Sequence, residues 1–286
     1  MAVNALAETL AEGAVVYASD EDPELVREAL PFNLKTIETL LASSPDHADL
    51  LLSACSTFTL YAAGFLEVDA EVAEWDLDYA RSEVLNTRAR NMHVRARDYC
   101  LRRVEVDHPG LSARLIRQPE AAVAEFGIDD VETLYWLGAS WGSAIVLGLD
   151  RPDLAADIPI VRTLMERALE LDEDYNRGAL HSALISVESV GELLGGSTER
   201  ARAHFERTVE LTEGLDASPY VAMAIGVALS AQDREEFEAL LESALAVDPD
   251  EDESIRLVNL VTQKRARLLL DNVDELFYEP LQEEDE

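Results

Sequence analysis

Along most of the chain apolar residues recur every three or four positions, and β-branched alternation of the kind a strand needs is absent over any useful length. The spacing predicts an almost wholly α-helical protein, with helices near residues 4–16, 23–43, 47–67, 70–105, 119–126, 130–149, 157–171, 176–194, 198–213, 218–229, 233–246 and 253–276. Some starts carry their own signals. Asp22-Pro23 offers a capping carboxylate followed by proline at the first helical position, and Ser197 precedes a run of good helix formers. The predicted stops are turns such as Ser44-Pro45-Asp46, His108-Pro109-Gly110, Gly195-Gly196 and Asp248-Pro249-Asp250.

Internal repetition sharpens this into an architecture. Three segments share one pattern: Met165-Glu-Arg-Ala168, Phe205-Glu-Arg-Thr208 and Leu241-Glu-Ser-Ala244 each place a small residue three positions after a bulky one and then run into a turn. This is the pattern of the second helix of a tetratricopeptide hairpin, in which the small residue lets a neighbouring helix approach closely. Leu134-Tyr-Trp-Leu137-Gly138 with Trp141 reads as a matching first helix, and a fainter copy runs through Ile37, Leu40, Pro45, Leu51, Ala54, Cys55 and Phe58. The expected fold is therefore all-α, a right-handed superhelix of stacked hairpins built from degenerate repeats. It is read as one domain over 1–286, with weaker repeats in 1–110, clearer ones in 130–275 and an acidic tail at 277–286.

Charge narrows the partners. With 58 acidic against 23 basic residues the net charge is −35, which repels nucleic acid and anionic membrane surfaces at long range. Lys35 and Lys264 are the lysines and every other basic residue is arginine, a bias met in salt-adapted hosts, though also compatible with a plainly acidic surface. Arginines concentrate in 70–105, where ion pairs within the protein are the favoured use. No uninterrupted apolar run approaches the ~20 residues of a membrane helix, so no transmembrane span is expected. Cys55 and Cys100 lie on apolar helical stretches with no ligand set beside them and are read as small core residues.

Candidate chemistry is sparse. The five histidines fall singly, so neither metal nor cofactor is expected. Asp248-Pro-Asp250-Glu-Asp252 begins like a calcium loop but has Glu253 where glycine must turn, and Gly195-Gly196 is better read as a turn than as an anion site. No nucleophilic triad can be recognised, and a binding role is expected in place of catalysis. The aromatic residues are more informative: Phe58, Tyr61 and Phe65 recur at helical spacing, and Tyr135, Trp136 and Trp141 stand among small residues that leave space beside large rings. These six, with Arg177 at a repeat junction, form the candidate ligand cleft, against the alternative that the rings only pack the core and Arg177 only makes an ion pair.

The order of segments also resembles a known family. Ala18-Ser-Asp-Glu-Asp-Pro-Glu-Leu-Val-Arg-Glu-Ala-Leu-Pro31, Leu40-Leu-Ala-Ser-Ser-Pro-Asp-His47, Arg95-Ala-Arg-Asp-Tyr99, Leu134-Tyr-Trp136, Asp174-Tyr-Asn-Arg-Gly-Ala-Leu-His181, Ala217-Ser-Pro-Tyr220 and Gln232-Asp-Arg-Glu-Glu-Phe237 are similar, in that order, to the T component associated with TRAP transporters, the TatT family. The resemblance implies a periplasmic lipoprotein that forms a homotrimer, pairs with the transporter's substrate-binding protein and passes a small hydrophobic ligand through an apolar cleft or pore. A general tetratricopeptide-type scaffold binding a peptide is the other reading of the same repeats.

Overall fold

The computed structural model describes residues 13–149 and 151–278, and the described residues contain helices and turns without a strand. Most of the predicted helix 4–16 and of the acidic tail lies outside them. After the short α1 (Ala14–Ala18) come α2 (Pro23–Ser43), α3 (Ala48–Trp75), α4 (Tyr79–Asp107), α5 (Leu111–Arg117), α6 (Pro119–Val123) and α7 (Val131–Val146). The chain continues with α8 (Pro152–Ala155), α9 (Ile158–Leu171), α10 (Ala179–Glu188), α11 (Thr198–Leu211), α12 (Ser218–Leu229), α13 (Arg234–Ala246), α14 (Arg256–Asp271) and α15 (Val273–Leu276). Caps act where the sequence placed them: Asp22 accepts from the Glu24 and Leu25 amides at 3.0 and 3.1 Å, and Ser197 from Arg200 at 3.3 Å.

The helix expected over 176–194 is confined to Ala179–Glu188, with left-handed Asn176 and Arg177 before it and Gly191 at φ 87° beyond it, and two further regions differ from expectation. α3 does not stop near residue 67 but runs on to Trp75, through a π-helical turn at Ala62–Glu67. The break falls at Asp76-Leu77-Asp78, where Leu77 takes a left-handed φ of 59° and the Asp78 side chain caps α4 by accepting from the Arg81 amide at 3.1 Å. Trp75 therefore ends one helix and does not open the basic one. Second, Leu111–Arg117 is helical, because Gly110 at φ 85° turns the chain and Leu111 and Leu115, one turn apart, are both buried.

The cysteines need correction. Cys55 on α3 and Cys100 on α4 are not separate core residues but form a disulfide between two adjacent helices, with their Cα atoms 5.4 Å apart and no solvent exposure. α3 is also the one described stretch long and apolar enough to cross a bilayer, yet 56% of its most apolar window is buried within the protein, where α3 serves as a core helix against α2, α4 and α7.

Packing is serial. α9 lies on α7, α11 on α10 and α13 on α12, and the first helices of these pairs also touch in sequence, α3 on α7, α7 on α10, α10 on α12 and α12 on α14. The shared pattern explains the closeness: a methyl group on Gly138 of α7 would stand 2.7 Å from the Met165 Cε of α9, so the glycine is the hole for the methionine, and Ala168, Thr208 and Ala244 are fully buried.

The row of first helices then closes on itself. α14 packs against α1, α2 and the π-helical turn of α3. Lys264 reaches Glu24 at 3.0 Å, Arg265 pairs with Glu71, Arg256 donates to the Ser19 carbonyl at 2.9 Å, and Val261 faces Gly64. The expected all-α stack of hairpins is present, and its inner helices α3, α7, α10, α12 and α14 contact one another in a closed ring, with the turns that precede α7, α10, α12 and α14 at one rim.

Candidate functional site

The seven residues singled out from sequence fall into three settings. On α3, Phe58, Tyr61 and Phe65 are buried: Phe58 stacks on Tyr99 at 5.8 Å beneath the Arg95 guanidinium, and Tyr61 tilts against Phe65 at 6.0 Å. On α7, Trp141 is buried too, its indole N–H donating to Asp157 at 3.1 Å and its ring covered by Arg97. One and a half turns earlier, Tyr135 and Trp136 are half-buried and open to solvent on one side. Since α3 packs on α7, both aromatic groups belong to one apolar body, but a molecule from solvent meets Tyr135 and Trp136 first.

Arg177 lies at the rim. Asn176, Arg177 and Gly178 all take left-handed φ values, 44°, 55° and 93°, which turn the Arg177 side chain across the neighbouring turns. There it pairs with Asp252 and donates to the Thr212 carbonyl at 3.4 Å. The same tight turn brings Tyr175 against Tyr135, ring centroids 5.5 Å apart, while Trp136 meets Tyr135 edge-on at 4.9 Å. The aspartate-rich turn that begins like a calcium loop is held by internal bonds: Asp248 accepts from the Asp250 amide at 2.9 Å, and Asp250 and Asp252 pair with Arg256 and Arg177. Among the described residues no group of three or more His, Cys, Asp or Glu is placed to hold a metal.

Sequence reasoning missed three residues at this rim. Glu132 lies in the first turn of α7, one turn before Tyr135, while Tyr175, from the turn before α10, and Asp216, from the turn before α12, join them only because successive helix pairs put their turns at the same rim. Desolvation pushes the Tyr135 hydroxyl up to about 12, with the charge of Asp216 adding to it. Tyr175 is raised further by desolvation and then by Glu132, Tyr135 and Asp172. Desolvation likewise raises Asp216 and Glu132, the latter opposed by a hydrogen bond from the Trp136 indole. Tyr135, Trp136 and Tyr175 thus form a half-buried aromatic cluster at this rim, with the exposed Glu132 one turn before Tyr135 on the same helix.

The polar groove of about 430 Å³ lined by Glu74, Tyr79, Ser82, Glu83, Asn86, Thr87 and Arg90 lies elsewhere, where the first turns of α4 pass α3, and holds none of the seven. The arginine run of α4 is largely spent within the protein. Arg90 donates to the Leu147 carbonyl, Arg95 pairs with Glu38, Arg102 donates to the Pro45 carbonyl, and Arg97 and Arg103 pair with Asp98 and Asp107.

Comparison with known proteins adds two findings. A family model described as TRAP transporter T-component matches residues 19–277. A protein of Treponema pallidum (strain Nichols), described only as uncharacterized, is 28% identical over 267 residues, covering 92% of this chain and 82% of the relative.

Proposed function

The chain belongs to the TRAP transporter T-component family, and from that premise we propose that it acts by binding alone, as an accessory subunit that holds the transporter's periplasmic substrate-binding protein and takes a small ligand in a recess beside Tyr135 and Trp136. The observation that carries the reading is the breadth of the family match, residues 19–277, which spans every helix of the ring and not only the repeat positions. The subunit works outside the cytoplasm as a lipid-anchored homotrimer. A fully buried disulfide fits that compartment, since such bonds persist where the medium is oxidising.

Co-purification at native salt with a TRAP substrate-binding protein of the same organism is the direct test: a stable complex is expected, and its absence would remove the partner. The recess is tested separately with a fluorescent apolar probe. Trp136→Ala removes a half-buried ring worth ~1.5 kcal/mol of contact, so probe affinity should fall about tenfold. Unchanged affinity would return that ring to a packing role.

A further inference from the structure

The inner helices run parallel. From Val261 to Arg265 along α14 the partner on α3 advances from Gly64 to Glu71, and the turns before α7, α10, α12 and α14 share one rim. The turns that follow the inner helices therefore form the opposite rim, and contacts join them around it. Tyr79 and Arg90 line one groove, and Arg90 donates to the Leu147 carbonyl at the end of α7 at 3.3 Å. Arg162, near the start of α9, meets Glu188 at the end of α10, and Ser189 packs against Gly226 of α12. Beyond α15 the Tyr278 amide donates to the side chain of Gln232, in the turn after α12, at 3.1 Å.

This rim carries large apolar side chains in solvent. Leu77, Tyr79, Val146, Leu149 and Tyr278 are each at least half exposed, and Leu193 is wholly so. Together they expose roughly 900 Å², about what one partner buries in a standard protein–protein interface. Leu193 is held outward by its loop. Gly191 and Gly195 take left-handed φ values of 87° and 84°, the Gly196 amide donates to the Gly191 carbonyl at 3.0 Å, and a methyl group on Gly196 would collide with the Glu188 carbonyl. Arg200 ties the loop down, donating to the Gly195 carbonyl at 2.7 Å and to the buried Glu188 at 2.6 Å. Leu77 is fixed outward too, by a left-handed backbone that a leucine adopts only at a cost. A side chain already held in place loses little entropy when a partner covers it, and this favours association.

Charge at the rim names its complement. Asp76, Glu192 and Glu275 are exposed near Leu77, Leu193 and Tyr278. Of the arginines there, Arg200 pairs with Glu188 and Arg234 with Glu238 and Asp274, while Arg81 is exposed. A net charge of −35 steers a basic surface toward such a rim and repels anionic lipid. We propose that this rim is the face on which the substrate-binding protein docks, with Leu193 as its anchor, and that the partner meets it with an apolar patch edged by lysine and arginine. The inference rests on the partner reading above and adds the surface.

Calorimetric titration of the whole chain with the binding protein used for co-purification tests it. Leu193→Ser, at a position the fold does not cover, should weaken the complex at least tenfold. Leu77→Asn with Tyr79→Ser should do the same, asparagine keeping the left-handed turn. Ile128→Ser, exposed on the opposite rim, should leave affinity unchanged. Unchanged affinity in both rim variants, or a loss with Ile128→Ser in their place, would overturn the proposal and leave the partner standing. If Leu193→Ser broke up the chain's own oligomer in sedimentation without changing partner affinity, the rim would belong to a second copy and the proposal would fall. No complex with the parent chain would remove the partner and this surface together.

Discussion

The first block of the molecule, α2 to α4, and the ladder of pairs from α7 to α13 solve one problem differently. Each must hold a helix against neighbours along a row with little sequence between them. In the ladder the solution repeats: a small residue on one helix receives a large one from the next, as Gly138 receives Met165, and Arg162 and Arg200 converge on the buried Glu188 to tie α9, α10 and α11. In the first block the repeat is only a faint copy, through Ile37, Leu40, Leu51, Ala54 and Phe58. The block's helices are long, 21 residues in α2 and 29 in α4, and a disulfide joins α3 to α4, whereas a π-helical turn is found on both sides of the comparison, at Ala62–Glu67 in α3 and Ala224–Leu229 in α12. Covalent and length-based anchoring replaces repeated packing where the repeat has decayed.

If that contrast is right, the largest single loss should come from the first block. The disulfide closes a loop of 45 residues, for which chain entropy gives about 4 kcal/mol as an upper figure. Cys55→Ala with Cys100→Ala should lower stability in a denaturant melt by about 3–4 kcal/mol, whereas mild reductant without denaturant should leave the bond intact because both cysteines are sealed from solvent. A loss below about 1 kcal/mol would mean that packing alone holds the block, as it does in the ladder.

The ladder's strongest tie is next. Glu188 is 2% exposed and accepts from Arg162 at 2.8 Å and from Arg200 at 2.6 Å. Glu188→Ala strands a largely buried guanidinium. Breaking such a pair costs about 3–5 kcal/mol, and the half-exposed Arg200 places this case at the low end, near 3. Overfilling the small-residue seam is smaller still: Ala168→Leu adds volume at a fully buried position and should cost about 2 kcal/mol. The comparison would collapse if Ala168→Leu proved silent, since the close approach of α9 to its neighbours would then owe nothing to the small residue.

The same contrast explains what could be read in advance. The ladder was legible because Met165, Ala168, Phe205, Thr208, Leu241 and Ala244 repeat a spacing whose geometric meaning is local. The break at Leu77 was not, because no glycine or proline marks it, and a leucine is held left-handed there by an aspartate cap that resembles any other surface aspartate. Nor was the Cys55–Cys100 bond, which depends on two helices lying antiparallel with a shared register; two cysteines on apolar faces were the only signal, and it fits core packing equally well. At the site, Tyr135 and Trp136 announced themselves by the small residues beside them. Glu132 sits one turn before Tyr135 on α7 and is lost among many exposed carboxylates, whereas Tyr175 joins them only through stacking of successive turns, a relation that no local pattern encodes. Closure of the ring by Lys264 and Arg265 is hidden for the same reason, as each partner lies more than half the chain away.

The smallest expected effect lies within one pair of the ladder and concerns protons. His181 on α10 and His204 on α11 face each other with their Nδ1 atoms 2.8 Å apart, a distance that admits one hydrogen between them. Desolvation lowers the pKa of both; for His204 the charge of His181 adds to it, while for His181 the nearby Glu173 carboxylate, 3.4 Å from Nε2, works in the opposite sense. A depressed histidine favours its neutral form in the fold, so below the unfolded value of about 6.5 the unfolded chain takes up more protons and stability falls with pH. The contribution is complete above that value and is lost on acidification from there, before the carboxylates lowered by ion pairing, such as Glu173 beside Arg207, begin to be protonated. His204→Asn should therefore flatten the decline of stability between about pH 6.5 and pH 5 that the parent chain shows. A slope identical in both proteins would place the proton uptake elsewhere and leave the α10–α11 contact to the packing that the rest of the ladder shares.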